Sequence, residues 1–524
     1  MGEWTFDNAV NIISILHCFK RVSGLSVNYD KSSLFGVGVS QEEVYAMASV
    51  LGCKPDKFPA TFLGIPIGVS MKRIAHWYPL VEKFKKRLSN WKIKTLSFGG
   101  RLTIVKSILG SLGSYWFSLF PVPKSVLNTL ETLRRNFFWG IQAGERGINW
   151  VNWDKVCSKT EKGGLGVLKL EDVNYSLISK WVWRFKTEKN ALWVKIIKSL
   201  HGAKGRTEDS NRESGWSGCW KNILLHTRKL NQFNLNPIDI MQVKIQDGAD
   251  TELWNDRWSD GGKLSGLFPR LFALETCKSA RIADRVNLDL ECWPWRRAIR
   301  DGRERDEANN LVSLLSGVRL TSGKDRWVVK DAPNGDYTTN WFRNQVEEAA
   351  YKLNVTTNHW HKWIPLKANV LIWRSALNRL PVRVILAEMG IDIPSILCPM
   401  CNSESESIDH IMLSCDWSIL IWNAIASWTQ IPFPNVGSVK EFLIWSDDIL
   451  NNRSRTSKTF KLICLATIKV IWSIRNEVVF QQKNAKTEEA LLRIKETSFL
   501  WISSRNHKFK TDRCLWFQFP LRGM

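Results

Sequence analysis

The sequence predicts an α+β protein that is predominantly helical and has several subdomains. Apolar residues recur at three- and four-residue spacing in many segments, which is the pattern of amphipathic helices. Short extended segments and two Gly-containing turn signals interrupt this pattern and indicate small β-structures. The chain has 524 residues, of which 44% are hydrophobic and 24% charged. This composition is typical of globular proteins, and the length favours three or four domains or subdomains.

Residues 1–70 alternate a helical pattern with short extended pieces. Two such pieces, at 25–29 and 62–67, are bounded by Gly and Pro. We therefore expect this region to be the end of an α+β unit. The helical pattern that precedes the two pieces is carried by Val10, Ile13, Leu16 and Phe19.

Residues 71–190 form a predicted helical region that contains the densest basic stretch of the chain. Between 71 and 110 there are ten Lys or Arg and one acid, Glu82. Apolar side chains recur there at helical spacing, so one face should pack while the cations stay available to phosphates. A merely solvated helix face is the alternative. The apolar positions are Leu80, Val81, Phe84, Leu88 and Trp91, and the candidate nucleic-acid contacts are Lys83, Lys85, Lys86, Arg87, Lys92, Lys94 and Arg101.

Residues 191–339 form a predicted Trp-rich connector with two hairpins. One hairpin is expected from Val243 to Trp254 around Asp247-Gly248, and the other from Trp327 to Thr339 around Asn334-Gly335. The segment 317–325 resembles a P-loop, but its glycine spacing is wrong, so we interpret it as a loop.

The remaining chain is predicted to be helical around one metal-type cluster. In region 340–436 we expect helices from about Asn340 to Leu353 and within 365–390. Region 437–524 is a predicted helical tail, with apolar positions at Phe460, Ile463, Ile468 and Ile471.

Charge and composition narrow the classes of partner. Lys and Arg exceed Asp and Glu by 74 to 50, a net charge of +24, which predicts a polyanionic partner such as RNA or DNA. The 28 Trp are spread along the chain and are expected to be mostly core. We find neither a membrane span nor a secretory signal, and expect no membrane partner and no small-molecule substrate. An intracellular location, nuclear or cytoplasmic, is therefore expected.

Four residues have the spacing of a zinc site. Cys398, Cys401, His410 and Cys415 form a Cys-x2-Cys-x8-His-x4-Cys pattern. Three thiolates and one imidazole are a closed tetrahedral ligand set, without the open position that a catalytic zinc keeps for water. The pattern therefore predicts a structural zinc ion. A redox Cys-x-x-Cys pair or coincidental thiols are the alternatives.

A series of motifs along the chain is similar to the C-terminal part of plant non-LTR (LINE-type) retrotransposon reverse transcriptases. By this resemblance, region 1–70 is a palm remnant, 71–190 a thumb, and 340–436 the zinc-binding region that follows such transcriptases. The motifs are 24–32 (GLSVNYDKS), 62–68 (FLGIPIG), 96–101 (LSFGGR), 138–140 (FWG), 150–153 (WVNW), 163–166 (GGLG) and Lys180-Trp181. Trp360, Trp363, Lys367, Trp373 and Leu380-Pro381 continue the series up to the zinc cluster.

The resemblance also implies what the sequence does not contain. The family's Tyr/Phe-x-Asp-Asp hairpin, which holds two Mg²⁺ ions, should lie upstream of Met1, so Mg²⁺ is expected only if an upstream palm is present. Lys31 matches the family lysine that assists the departing pyrophosphate, without its catalytic centre. Asp447-Asp448 mimics the hairpin beyond the zinc region and is interpreted as a polar loop. We expect no endonuclease or ribonuclease H domain.

Three functions remain open from the sequence. The favoured one is a truncated reverse transcriptase that binds nucleic acid and zinc without the catalytic hairpin, so that enzyme activity is uncertain and not expected. The second is a fragment of an active RNA-directed DNA polymerase. The third is a reused module that binds nucleic acid or protein. Palm motifs in the reading frame upstream of Met1 would separate the first from the second.

Overall fold

The structure is a computed structural model that describes residues 3–108, 112–142, 144–207, 218–350, 360–449, 455–507 and 509–521. Two compact units are present: 1–82 with 122–126, and 83–121 with 127–524. In the described residues we find 23 α-helices and eight short strands. The prediction of a predominantly helical α+β fold is therefore confirmed. The finer division into five regions stays a prediction.

The first unit is built from two capped helices and four three-residue strands. Thr5 caps α1 by accepting a hydrogen bond from the Asn8 amide, and α1 ends at Gly24 with φ of 71°. Ser40 and Glu43 form a capping box at the start of α2. The elements are α1 (Phe6–Ser23), β1 (Ser33–Phe35), α2 (Gln41–Leu51), β2 (Lys54–Asp56), β3 (Ala60–Phe62) and β4 (Ile65–Ile67).

The strands of this unit differ from the predicted extended pieces. Residues 25–29 contain no strand, and the strand comes later, where β1 pairs in parallel with β2. The piece at 62–67 is part of a hairpin, in which β3 and β4 pair antiparallel. Leu63 and Gly64 make the turn with φ of 50° and 78°. Such left-handed backbone at both central residues is what a two-residue hairpin turn requires.

The second unit begins within α3 and continues through helices that match the predicted helical region. Within α3, Leu80 of the first unit and Phe84 of the second unit are fully buried, and Leu88, which follows the helix, is also buried. The apolar spacing thus predicted the packed face correctly. The side chain of Trp91 lies outside the described residues. The helices are α3 (Tyr78–Arg87), α4 (Asn90–Thr95), α5 (Phe98–Ile108), α6 (Ser114–Leu119), α7 (Lys124–Trp139), α8 (Trp153–Cys157), α9 (Leu170–Thr187) and α10 (Leu192–His201).

The connector contains short helices and two small antiparallel sheets. Its elements are α11 (Cys219–Arg228), α12 (Pro237–Ile240), β5 (Met241–Lys244), β6 (Arg257–Ser259), β7 (Gly262–Lys263), α13 (Leu264–Leu267), α14 (Pro269–Leu274), α15 (Arg303–Ser316) and β8 (Arg326–Val329). β6 and β7 form one short hairpin, and β5 pairs with the distant β8.

Both hairpins predicted in the connector are therefore wrong. β5 continues into a loop in which the Asp325 carboxylate accepts hydrogen bonds from the backbone amides of Gln246 at 2.7 Å and Gly248 at 3.0 Å. This contact draws the chain toward β8 and away from a local return strand. Asn334 and Gly335 do have positive φ, 60° and 73°, but the described chain after them enters a helix. The interpretation of 317–325 as a loop agrees with the structure.

The C-terminal part is helical and surrounds a large apolar core. The predicted helix at Asn340 starts one residue earlier, and residues 351–353 of that prediction lie outside the described residues. The segment 365–390 forms two helices because Leu380-Pro381 interrupts it. The helices are α16 (Thr339–Ala350), α17 (Leu366–Ala376), α18 (Arg383–Glu388), α19 (Asp416–Thr429), α20 (Val439–Asp448), α21 (Arg455–Gln481), α22 (Thr487–Arg505) and α23 (Arg513–Gln518).

The interpretation of Asp447-Asp448 as a loop is wrong. Both residues end helix α20, and the Asp447 carboxylate forms an ion pair with Lys461 of α21. The polar residues that suggested a loop, Asn451 to Arg453, lie outside the described residues. The ion pair of Asp447 thus joins two helices, and the backbone at Asp447 is helical, unlike the turn of a metal-binding hairpin.

Two glycine motifs bring the predicted thumb into contact with the zinc-binding region. A Cβ atom added to Gly99 would lie 2.8 Å from the backbone nitrogen of Lys367, so α5 and α17 approach closely because this position has no side chain. The Trp373 indole of α17 donates a hydrogen bond to the Gly163 carbonyl at 2.8 Å. These contacts join the 96–101 and 163–166 motifs to the helix that precedes the metal cluster.

The tryptophans serve mainly as core. Fifteen of the 28 are buried, including Trp254 and Trp422, which are almost completely enclosed. They are therefore unavailable as stacking platforms for bases. Within the described ranges, we find no helix that is both long and apolar enough to cross a membrane.

Candidate functional site

The first two metal-type cysteines lie on a tight turn closed by backbone hydrogen bonds. The Cys398 amide donates to the Glu404 carbonyl at 2.6 Å, and Leu397 pairs with Ser405 as an antiparallel bridge. The Met400 amide points to the Cys398 sulfur at 3.4 Å. The turn thus holds both sulfurs on one side, as a Cys-x-x-Cys metal-binding turn does.

The other two candidate ligands come from the next turn and the helix that follows it. His410 opens a short π-helical turn that ends at Ser414. Cys415 is the N-cap residue of α19, and its amide donates to the His410 carbonyl at 2.8 Å. A helix N-terminus stabilises a thiolate, so this position suits a cysteine that binds a cation.

The structure brings all four side chains together. Their candidate ligand atoms lie within 4.8 Å of one another. The Cys398 and Cys415 sulfurs are 3.9 Å apart, and the Cys401 sulfur lies 3.4 Å from His410 Nε2. With Zn–S bonds of about 2.3 Å, a tetrahedral site has S···S edges of about 3.8 Å. The arrangement therefore fits a zinc ion.

Electrostatics at the cluster favour deprotonated sulfur. A hydrogen bond from the Cys415 thiol lowers the pKa of Cys398 to about 5. The thiol of Cys415 consequently has its pKa raised, because it holds the shared proton beside a thiolate. A metal ion would replace that proton and compensate the negative charge of both sulfurs.

A carboxylate that the spacing did not reveal orients the histidine. His410 Nδ1 lies 2.9 Å from Glu404 Oε2 and 3.5 Å from Ser414 Oγ. Donation from Nδ1 to the carboxylate leaves Nε2 free to face the sulfurs. Such partners fix the tautomer of metal-binding histidines in many proteins. Sequence reasoning missed Glu404, although its place between the second and third ligands was a usable signal.

A buried ion pair anchors the same loop to the C-terminal helices. Both oxygens of Glu406 accept hydrogen bonds from Arg475 of α21 at 2.6 Å, and the Arg383 amide adds a third at 2.9 Å. Neither side chain is more than 3% exposed. The metal loop is therefore held from outside by a charged contact that no local pattern could predict.

Six of the predicted nucleic-acid contacts lie on α3 and α4, and five of them are exposed. Lys83, Lys85, Lys86 and Arg87 are exposed on α3, whose apolar side chains Leu80, Val81 and Phe84 are buried. Lys94 is exposed on α4, while Lys92 is half-buried. The Lys92 ammonium donates to the Arg87 carbonyl at 2.9 Å, which ties the two helices together. We call these six residues the basic face.

The seventh predicted contact, Arg101, is placed differently. It is 8% exposed and its guanidinium lies 4.3 Å from the ring centroid of Phe98. Burial lowers its pKa. Arg101 is therefore separated from the basic face by its burial. Lys31, the palm-type lysine, is exposed in the first unit, where its amide is capped by the Asn28 side chain at 3.1 Å.

The metal cluster coincides with a known type of domain. Residues 337–422 match the family described as zinc-binding in reverse transcriptase. This segment contains α16 to α18 and all four candidate ligands. The chain therefore carries the zinc-binding region of reverse transcriptases.

Two plant proteins share longer stretches with the chain. The chain is 36% identical to the "Putative ribonuclease H protein At1g65750" of Arabidopsis thaliana over 360 residues, which is 66% of the length of the chain. It is 29% identical over 149 residues to the "Uncharacterized mitochondrial protein AtMg00310" of the same plant, 28% of this chain and 92% of that protein. The chain spans 54% of the first relative. The resemblance to plant retrotransposon reverse transcriptases is thus confirmed.

Proposed function

We propose that this chain is a nucleic-acid-binding and zinc-binding C-terminal part of a non-LTR retrotransposon reverse transcriptase. In this proposal it grips RNA or DNA through the basic face and does not itself transfer phosphoryl groups. The observation that carries the proposal is the two-sided character of α3, with Leu80 and Phe84 fully buried and lysines exposed on the other side.

The distribution of charge supports a phosphate-binding role for that face. Glu82 is the one acid between residues 71 and 110, so few local carboxylates compete with phosphates for the lysines. Rows of Lys and Arg on a helix bind the nucleic-acid backbone by releasing its counterions and do not read its sequence. We therefore expect binding without base specificity.

The zinc ion in this proposal is structural. Cys398, Cys401 and Cys415 with His410 complete a tetrahedral set, so no position remains for a reacting water. Bound zinc would fix the 398–415 loops against α19. We expect about one zinc per purified chain, measured by elemental analysis, and folded protein without zinc would contradict this assignment.

The basic face can be tested by neutralising it and comparing salt dependence. Replacing Lys83, Lys85, Lys86, Arg87, Lys92 and Lys94 by Gln should weaken RNA or DNA binding and flatten its dependence on salt. The slope of log K against log salt should fall by about 0.7 to 0.9 for each lost phosphate contact. Fluorescence anisotropy with a labelled oligonucleotide between 50 and 200 mM salt, the range over which phosphate contacts change affinity by orders of magnitude, measures both quantities.

A control variant removes the same charge elsewhere. Six exposed cations of the connector are changed to Gln in this control: Arg296, Arg300, Arg303, Arg319, Lys324 and Lys330. The proposal requires that the control bind with nearly unchanged affinity and slope. Equal losses of affinity in the two variants would show that only net charge matters. Unchanged affinity in both variants would show that the basic face is solvated surface and does not bind nucleic acid.

A further inference from the structure

Two buried arginines of the second unit lie against the same aromatic ring. The Arg101 and Arg374 guanidinium carbons are 4.3 and 5.2 Å from the centroid of Phe98. The two side chains are 8% and 6% exposed. Arg374 also lies 5.0 Å from the ring centroid of Trp150. Two like charges are thus held together below the surface.

These arginines lack the acidic partner that buried arginines normally have. Elsewhere in the unit, Arg134 pairs with Glu131 at 2.8 Å and Arg475 with Glu406 at 2.6 Å. In the part of the chain that the structure describes, neither Arg101 nor Arg374 forms an ion pair with a carboxylate. A buried charge without a counterion is strongly unfavourable.

The ring centroid of Trp139 lies 5.8 Å from the Arg374 guanidinium carbon and belongs to the same cluster. Three buried N–H groups of this cluster have no acceptor among the residues that the structure describes. They are Nε of Arg101, Nη2 of Arg374 and the indole Nε1 of Trp139. Arg374 Nε does donate, to the Arg379 carbonyl at 3.0 Å. Aromatic faces offset part of the cost of burying a guanidinium but provide no oxygen to accept these hydrogens. Buried donors in native proteins nearly always have a partner, so an acceptor is expected here.

The charge of the cluster suits an anion, and the Arg101 guanidinium is held in place by close packing. Burial, together with the charge of Arg101, lowers the pKa of Arg374 to about 10, so it stays protonated at neutral pH. A Cβ atom at Gly140 would lie 2.0 Å from Arg101 Nη1, and the backbone there has φ of 83°. Glycine at this position therefore lets the Arg101 guanidinium lie against the backbone, where a side chain would displace it.

From this geometry we propose that Arg101, Arg374 and Trp139 form a binding site for a phosphate-type dianion. Guanidinium groups bind phosphate through paired N–H donors, and a tetrahedral anion has enough acceptor oxygens for all three unpartnered groups. The anion is either free inorganic phosphate or a terminal phosphate of a bound nucleic acid. The site is distinct from the basic face and does not depend on it.

Thermal unfolding in the presence of inorganic phosphate tests the site directly. At constant ionic strength, with chloride replaced by phosphate, the midpoint of the intact protein should rise by a few degrees as phosphate increases, because a ligand of the native state stabilises it. The Arg101→Met and Arg374→Met double variant should lose this rise. Arg300→Met, at an exposed arginine, serves as the control and should keep it, as should the six-Gln variant of the basic face.

Two additional experiments are needed. One replaces the double variant if it does not fold, and the other distinguishes free phosphate from a terminal phosphate of nucleic acid. If the double Met variant does not fold, Arg101→Lys and Arg374→Lys are used instead. These variants keep the positive charge but remove the paired N–H donors, so phosphate should raise their unfolding midpoint less than that of the intact protein. A 5′-phosphorylated oligonucleotide that stabilises the protein more than its dephosphorylated form identifies a terminal phosphate, and an effect of inorganic phosphate alone identifies the free ion. No phosphate effect on the intact protein, or equal effects in the arginine variants, would overturn the proposal.

Discussion

Glu404 sets the orientation of His410, and its contribution can be measured without removing a ligand. Glu404→Gln keeps the size of the side chain but weakens the acceptor for His410 Nδ1, which lies 2.9 Å from the carboxylate. We expect zinc affinity to fall by about 10- to 100-fold. Competition with a chromophoric chelator gives the affinity. Glu388→Gln, at an exposed glutamate outside the cluster, should leave it unchanged, and an equal loss there would refute the role of Glu404.

Removing a ligand should have a larger and local effect. In Cys401→Ser we expect zinc content to fall to near zero and residues 395–420 to become protease-sensitive, because binding energy at such sites is also folding energy. Mass spectrometry of limited proteolysis products locates the cuts. Cys514→Ser changes an exposed cysteine outside the cluster and is the matched control. Unaltered protection of 395–420 in Cys401→Ser would disprove a structural metal.

Acid should release the metal from this cluster. Zinc requires deprotonated thiols and a neutral imidazole, so protons compete with the ion and affinity falls as pH decreases. The Cys415 thiol, whose pKa is raised by the hydrogen bond it shares with Cys398, must lose its proton before it binds zinc. Chelator titrations at several pH values should therefore show weaker zinc binding below neutrality, and a pH-independent affinity would exclude thiolate ligands.

At the scale of elements, the glycine contact between α5 and α17 is a point where stability should respond to one methyl group. Gly99→Ala places a Cβ atom 2.8 Å from the Lys367 nitrogen, which is backbone and cannot move aside. We expect destabilisation of about 1 to 3 kcal/mol, measured by urea unfolding. Gly100→Ala meets the Leu96 side chain at 3.3 Å, which can adjust, so this control should be nearly neutral. Similar values for both would show that α5 and α17 are not tightly packed.

Among the helices and strands, the sequence predicts local features correctly and fails for pairings between distant segments. The local sequence was enough to predict the buried residues of α3, because Leu80 and Phe84 follow the helical period. It was also enough to identify the four candidate ligands, from their Cys-x2-Cys-x8-His-x4-Cys spacing. It also identified the turn at Asn334-Gly335, whose φ values are those of a hairpin. The strand partner was wrong because β5 pairs with β8 across the whole connector, and no local turn signal encodes that distance. Glu406 and Arg475 are missed for the same reason.

At the scale of the whole molecule, the net charge of +24 is the excess that remains after the acidic residues have offset an equal number of Lys and Arg. Some of the offset charges form pairs with buried side chains. Glu131 alone accepts hydrogen bonds from Arg134, the Trp153 indole and the Leu170 amide, each at 2.8 Å. Five of the six side chains of the basic face, on α3 and α4, are exposed. Under the proposed function, this charge should speed association with nucleic acid and make it sensitive to salt.

The last prediction concerns catalysis by these 524 residues alone: we expect no primer extension on an RNA template. Polymerases transfer phosphoryl groups with two Mg²⁺ ions held by neighbouring carboxylates about 3.5 to 4 Å apart. The sequence contains no Tyr/Phe-x-Asp-Asp motif, and Asp447 is engaged with Lys461 at the end of α20. A basic face positions a duplex but does not stabilise the charge that develops at the reacting phosphate. Primer extension with labelled nucleotides checks this. Mg²⁺-dependent incorporation that disappears in Asp447→Asn or Asp30→Asn, with Asp301→Asn as an exposed control, would place an active site within this chain.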